Sequence, residues 1–533
     1  MKRRLVIRGG AVADGSGEPL RDGDVVVEGD RIAGIVPPGT AVAGDEIDAR
    51  GLVVAPGFIN VLSHAYHSLQ LDPRGLSDLR QGVTTLVFGE GWSLGPCSEP
   101  MLRKYQRDAP AGVRAAWPRL AEALRALEAA GLALNVASFV GAHNLRELGA
   151  ADADRPLTLA EKDRACGILA EELADGALGV ASALIYPPGC FADTKELAAW
   201  CEVVARHDGL YISHLRSEGS RLLESLEELT GLADGTGVRA EVYHLKAAGQ
   251  DNWPKMQAAL EQIEQARARG LQVTADIYPY TAGMTALSAC IPPRYHDGGV
   301  DALLARLADP ATRAEIAREI VVDPGTWENL YLAAGGAAGI LLLGGLEAAD
   351  APHLGATLAQ AAAAAGRDPV DLLLDLVAGA PQLLAAYFII DEDNMRAALA
   401  RPWVAICSDS EAPATEGRFL ATPTHPRAYG SFARVLGRYA RDEQVLPLPE
   451  AVRRMTALPA ETLRLDRRGR IAPGYVADLA VFDPGAVADH ATYDRPHCYA
   501  TGVTHVLVNG VPEVRDGALR GAAAGRALRR GAA

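Results

Sequence analysis

VRAEVYHLKAAGQDNWPKMQAALEQIEQARARGLQVTADIYPY, residues 238–280, is the stretch on which the fold turns. A short apolar run ends at His244. After a polar, glycine-containing turn, Met256, Leu260 and Ile263 recur at spacings of four and three, Gly270 stops the pattern, and a second apolar run begins at Leu271. That period predicts an amphipathic helix between two short strands, a β–α–β unit.

Outward from it the same texture recurs. Apolar runs stand at GLVVAPGFINV (51–61), VTTLVF (83–88), LALNVASFVG (132–141), GALGVASAL (176–184), GLYIS (209–213), VRAEVYH (238–244), LQVTADIY (271–278) and WVAICS (403–408), mostly with helix-period segments between. Eight such units predict an α/β fold of the (β/α)8 TIM-barrel type. A doubly wound open sheet would show the same alternation, but no GxGxxG fingerprint follows the first run. The glycine-rich, irregular stretch 286–350 reads as an inserted loop or subdomain over the barrel mouth.

The two ends differ from the middle. LVIRGGAV (5–12) and DVVVEGDRIAGIV (24–36) are β segments cut by glycine turns, and RIAPGYVADLAVFD (470–483) and THVLVNGVPEV (504–514) repeat that texture. Residues 1–55 and 466–533 are therefore expected to pair into one small β domain, leaving 56–465 for the barrel.

Composition narrows the function. Among 533 residues, 49% hydrophobic and 22% charged is ordinary globular usage. No run of about 18 apolar residues exists to span a membrane. The opening MKRRLVIRGG lacks a signal peptide's apolar segment, so the expected compartment is the cytoplasm. Seven cysteines, scattered and without a CxxC pair, indicate neither a disulfide framework nor a thiolate zinc knuckle. The net charge of −15, with only the short RALRRG tail as a basic cluster, excludes nucleic acid as an expected partner. Oligomeric state is open at this level.

In a barrel, chemistry gathers just past the C-terminal ends of the strands. There the sequence places Ser63 and His64, Glu90 in a GEG turn, His143, His214 in SHLRSEG, His244 and Lys246 in YHLKAAG, Asp276 and Tyr278 in DIYPY, and Asp409 in CSDSE. Histidines and carboxylates converging from several strands suit Zn²⁺ or another first-row divalent ion with one position open to water. Asp409 would then shuttle the proton that amide hydrolysis moves from water to the leaving amine. Singly, each residue also has a structural reading: Asp409 as a helix cap, Glu90 as a solvated turn residue, Tyr278 as core, and His143 as a hydrogen-bonded histidine.

The segments PGFIN (56–60), QGVTTLVFGEG (81–91), ELADGALGVASALIYPPG (172–189), YISHLRSEG (211–219), YHLKAAGQDNW (243–253), VTADIYPYTAGMTAL (273–287), SDSEAP (408–413), THPRAYGSFARVLGRY (424–439) and MTALPAETLRLDRRGRIAPGYVADLAVFDP (455–484) occur in order. Together they resemble the D-aminoacylase (N-acyl-D-amino-acid deacylase) branch of the metal-dependent amidohydrolases, over about residues 5–514. The resemblance implies a barrel with a small β-sandwich built from both termini, and zinc at the barrel mouth. It also implies hydrolysis of N-acyl-D-amino acids to a carboxylate and a free D-amino acid. By motif, His214 and His244 look like the histidines of the tight metal, Asp409 like the general base, and Lys246 with Tyr278 like the groups holding the substrate's carboxylate.

Two positions depart from the pattern. Where the family has His-x-His after the first strand, this chain reads Leu62-Ser63-His64, which leaves His64 as a weak or outer metal contact. Where the family has cysteine after the second strand, this chain has Glu90, a harder ligand than thiolate. Ligand counting then gives one tightly held zinc on Glu90, His214 and His244. The alternatives are ring opening or closing of a cyclic amide or imide, cleavage of a D-residue peptide, and a non-catalytic barrel kept for binding.

Overall fold

The computed structural model describes residues 4–322, 325–345 and 351–531. The ends of both terminal segments (1–3 and 532–533) and parts of the expected insertion (323–324 and 346–350) lie outside the described residues.

Each of the eight apolar runs contains a strand: β1 (Phe58–Asn60), β2 (Val83–Phe88), β3 (Asn135–Ser138), β4 (Gly179–Ala183), β5 (Leu210–His214), β6 (Arg239–Val242), β7 (Val273–Ile277) and β8 (Val404–Ile406). β1, β2 and β3 form one parallel sheet. Val140–Gly141, immediately after β3, pairs in parallel with β4, and the sheet continues through β5, β6, β7 and β8, again all parallel. The free edges of the two sheets approach each other at both ends. Leu178 N donates to Ser138 O at 3.0 Å, and beyond β8 Asp409 N donates to Leu62 O and His64 N to Ser410 O, each at 2.9 Å.

Parallel pairing needs a crossover between strands, and the helices Leu159–Ala174, Thr194–Arg206, Leu222–Thr236 and Met256–Ala268 supply it. In the last of these Met256, Leu260 and Ile263 are buried, and Gly270 leaves the helix region with φ +95°. Strands so covered are buried on both faces, as in β2, where all six residues are buried.

Buried polar ties hold the first and eighth strands in register. Asn60 Nδ2 donates to Asp78 Oδ1 at 2.9 Å and to Ser408 Oγ at 2.7 Å, while Ser408 N donates to Asn60 Oδ1 at 2.9 Å.

Both termini enter one nine-stranded sheet, in which Val53–Pro56 pairs antiparallel with Leu479–Phe482 and in parallel with Arg4–Val12. The chain passes from that sheet into β1 through Gly57. A Cβ there would lie 2.2 Å from Thr84 Oγ1, so only glycine fits.

The stretch expected as an irregular insertion belongs to a longer and more ordered excursion. Gly283–Ala286, Ile340–Gly344 and Leu384–Tyr387 form a three-stranded antiparallel sheet, with the helices Gly299–Ala308, Pro310–Ile320 and Pro369–Gly379 between its strands. Strands about a hundred residues apart in sequence pair here, which local pattern does not reveal. Among the described residues, no helix is long and apolar enough to cross a membrane.

Candidate metal centre

The strand ends deliver their polar residues to one spot. Glu90 follows β2 between Gly89 (φ +120°) and Gly91 (φ +63°). A Cβ on Gly89 would come within 2.8 Å of Phe139 O, and one on Gly91 within 2.8 Å of the Ala183 side chain, so the flanking glycines let the turn pass between neighbouring strand ends. Its carboxylate then meets three imidazoles. Oε1 lies 3.0 Å from His214 Nδ1 and 3.0 Å from His244 Nε2, and Oε2 lies 3.2 Å from His64 Nε2. His64 Nε2 is also 3.0 Å from Asp409 Oδ1.

Two trios result, Glu90–His214–His244 and His64–Glu90–Asp409. In each, the candidate ligand atoms lie within 4.8 Å of one another, with Glu90 common to both. Imidazole nitrogens and a carboxylate at this spacing fit a first-row divalent ion. His244 (φ +33°) and Asp409 (φ +50°) both adopt left-handed backbone conformations that side chains disfavour, strain of the kind that gathers at functional positions.

The electrostatics are those of a closely paired cluster. Burial alone would raise the Glu90 pKa. The charge on His244 and hydrogen bonds with His214, His244 and His64 outweigh it and hold the group well below the usual carboxylate range. For His64, desolvation is outweighed by Asp409 and Glu90, and its pKa rises to about 9. For Asp409, burial is outweighed by Arg427 and His64, and its pKa falls.

Tyr278 is buried in the wall of the metal cavity, as its position after β7 implies. Lys246 lines the same cavity. Its ammonium lies 2.6 Å from Glu218 Oε1, 2.8 Å from His244 Nδ1 and 3.0 Å from His244 O. Glu218 Oε1 and His244 O accept from two of its three donors.

The better placed cation is Arg427, which sequence reasoning did not single out although it lies in the THPRAYG segment. Its guanidinium is 1% exposed, sits 4.5 Å over the Tyr278 ring, and approaches Asp409 Oδ2 to 2.6 Å through Nη1. Among the described residues, its Nε has no hydrogen-bond partner. Glu218 was missed as well. Placed four residues after His214, it lies 3.0 Å from His244 Nδ1 and 3.4 Å from His214 Nε2. Asp276 accepts the His244 backbone N–H at 2.8 Å. His143 points its Nε2 at Ala183 O, 3.1 Å away, in keeping with a structural role. Leu62 is buried in the apolar core and offers no donor.

Residues 45–513 match the model of the amidohydrolase family. The chain belongs to that family. This amidohydrolase is 34% identical to D-aminoacylase of Alcaligenes xylosoxydans xylosoxydans, over 99% of this chain and 98% of that one. It is 35% identical to N-acyl-D-glutamate deacylase of the same organism, over 96% and 93%. Among solved structures it resembles N-acyl-D-glutamate deacylase of Bordetella bronchiseptica, complexed with zinc and a phosphonate mimic of the tetrahedral intermediate. The TM-score is 0.83 at 32% identity, covering 99% of this chain and 100% of that one.

Proposed function

We propose that this amidohydrolase is a zinc-dependent deacylase that hydrolyses the amide bond of N-acyl amino acids, D-configured as in its named relatives, with Asp409 as the proton shuttle. The observation that carries this reading is the convergence of Glu90, His214 and His244 on one point, with Asp409 reached from Glu90 through His64. Glu90, His214 and His244 would hold the tight ion, and His64 contributes a weak or outer contact. The ion supplies Lewis acidity at the scissile carbonyl and lowers the pKa of a water molecule.

The protein's own groups do the rest. Asp409, kept ionised by Arg427, accepts a proton from the attacking water and returns it to the leaving nitrogen. Arg427 stands over Tyr278 with an unpartnered Nε and binds the substrate's α-carboxylate by a charge-assisted hydrogen bond. Lys246 stands beside Tyr278, with Glu218 and the His244 carbonyl on two of its donors.

The same reading takes β1–β8 as a closed (β/α)8 barrel, supported by the contacts of Ser410 and Asp409 with the chain after β1. The nine-stranded sheet is then a small sandwich-like domain of residues 1–55 and 466–533, closed around a core that includes Leu5, Ile7, Val25, Val54, Leu479 and Leu507.

The test is amine release from matched N-acetyl-D- and N-acetyl-L-amino acids and from cyclic amides by zinc-loaded protein. Turnover of the D-acyl compounds is expected. Turnover confined to cyclic amides would overturn the reading.

A further inference from the structure

His214 ends β5 and His244 stands just past β6, so each of these two histidines opens a loop. Glu218, in the first loop, joins them, because its carboxylate meets both imidazoles. The direction of that carboxylate depends on how its own backbone is held. The Glu218 carbonyl accepts from Ala248 N in the second loop at 2.7 Å. The Glu218 N–H donates to Glu328 Oε2 at 3.2 Å, and the same oxygen accepts from Ser217 Oγ at 2.7 Å. Ser217 Oγ accepts in turn from Gly219 N and Arg221 N, each at 3.2 Å, which leaves its one proton for Glu328.

Glu328 belongs to neither loop. It lies in the excursion between β7 and β8, just before the short helix Leu330–Ala333. This segment bridges the two histidine loops. Glu328 grips Ser217 and Glu218, Leu330 forms part of the metal cavity wall, and Ala333 packs on Gly249 in the second loop. Gly249 has φ +87°, and a Cβ there would come within 3.1 Å of Ala333 Cα, so the close approach is built on a glycine.

We propose that Glu328 is a positioning residue for the metal centre. By clamping Ser217 and the Glu218 N–H it aims the Glu218 carboxylate at both imidazoles, and tight metal binding then depends on a residue of the excursion. The proposal goes beyond the deacylase reading and rests only on its metal site.

The distances show why a clamp is needed. Groups that support a metal ligand act when they are held within roughly 0.5 Å of the productive geometry. The His214 contact of Glu218 is already the longer one, at 3.4 Å, while Lys246 draws on its Oε1 at 2.6 Å. A Glu218 backbone freed from Glu328 would let the carboxylate follow Lys246 and give up His214.

The experiment measures the zinc dissociation constant by competition with a chromogenic chelator, so no substrate enters it. Glu328→Ala is expected to weaken zinc binding by about tenfold. Burial, with the Glu218 charge, pushes the Glu328 carboxyl up to about 7 against the hydrogen bonds it accepts. Protonated or not, it keeps an oxygen for both donors, and Glu328→Gln keeps one too. That variant should bind zinc within about threefold of the parent.

The deciding comparison is a double-mutant cycle with Glu218→Gln, in which the charge that Glu328 aims is gone. There Glu328→Ala should cost less than about threefold. A loss as large as in the parent background would show that Glu328 only steadies the excursion, and would overturn the proposal. Parental affinity in Glu328→Ala would overturn it as well. Ser217→Ala reads the same clamp from the barrel side and leaves the excursion untouched, which keeps the test sharp should Glu328→Ala fold poorly. It is expected to weaken zinc by about threefold in the parent background and to lose that effect in Glu218→Gln. Equal effects in both backgrounds, or none in the parent, overturn the proposal. Because the readout is metal binding, failure of every N-acyl amino acid as a substrate would overturn the deacylase reading without touching these ratios.

Discussion

Glu218 sets one carboxylate oxygen 3.0 Å from His244 Nδ1 and the other 3.4 Å from His214 Nε2, so a single buried side chain backs both imidazoles on the side away from Glu90. A carboxylate in that position fixes ring orientation and keeps the proton on the outer nitrogen, leaving the inner one free to bind a metal. Glu218→Gln keeps the volume and removes the charge. Zinc affinity, measured by competition with a chromogenic chelator, is expected to weaken by roughly 10- to 100-fold. An unchanged dissociation constant would show that Glu218 is only a packing residue.

Asp409→Asn should retain zinc and fold while turnover falls by roughly 10²- to 10⁴-fold, because an amide cannot accept the proton of the attacking water. Near-parental turnover in a zinc-replete sample would remove Asp409 from the proton path.

Arg427 holds the Asp409 pKa down against burial. A base must be deprotonated, so activity is lost as pH falls through its pKa, and removing the cation moves that loss to higher pH. Arg427→Met is therefore expected to shift the acid limb of the kcat/KM profile upward. It should also raise KM for carboxylate-bearing substrates more than for their amidated analogues. An acid limb that does not move would separate Arg427 from Asp409.

Much of this site is legible in the sequence because it sits where a periodic pattern stops. Glu90, His214, His244 and Asp409 each follow an apolar run closely, and strand ends in a parallel fold point to one face. Glu218 and Arg427 escape that logic. Glu218 stands in the loop beyond His214, and Arg427 opens the helix Arg427–Arg434, reaching Asp409 only through the tertiary fold. The motif match puts Lys246 on the substrate, and a sequence does not show that Glu218 and the His244 carbonyl take two of its donors. The excursion up to Tyr387 escapes local pattern for a related reason. LLLGG (341–345) and LLAAY (383–387) read as bland apolar segments, and their pairing is visible only in three dimensions.

Asp78 offers a test of the fold independent of the metal. Burial raises its pKa to about 7 despite the hydrogen bonds from Asn60 and Ser77. The folded pKa lies above the ordinary value of 3.8, so the folded state binds the extra proton. The resulting stability is complete below about pH 4 and is lost as pH rises through about 7. Asp78→Asn removes this titration, so its Tm relative to the parent should rise between pH 5 and pH 8. A constant difference would mean that Asp78 is charged throughout.

The central claim is that Glu90 completes one tight metal site with His214 and His244. Elemental analysis of zinc-loaded parent and Glu90→Ala, dialysed side by side, tests it most directly. The account predicts about one zinc per chain in the parent and almost none in the variant, since about three protein ligands are needed to retain the ion. A full equivalent of zinc in Glu90→Ala, or about two retained ions in the parent, would contradict it.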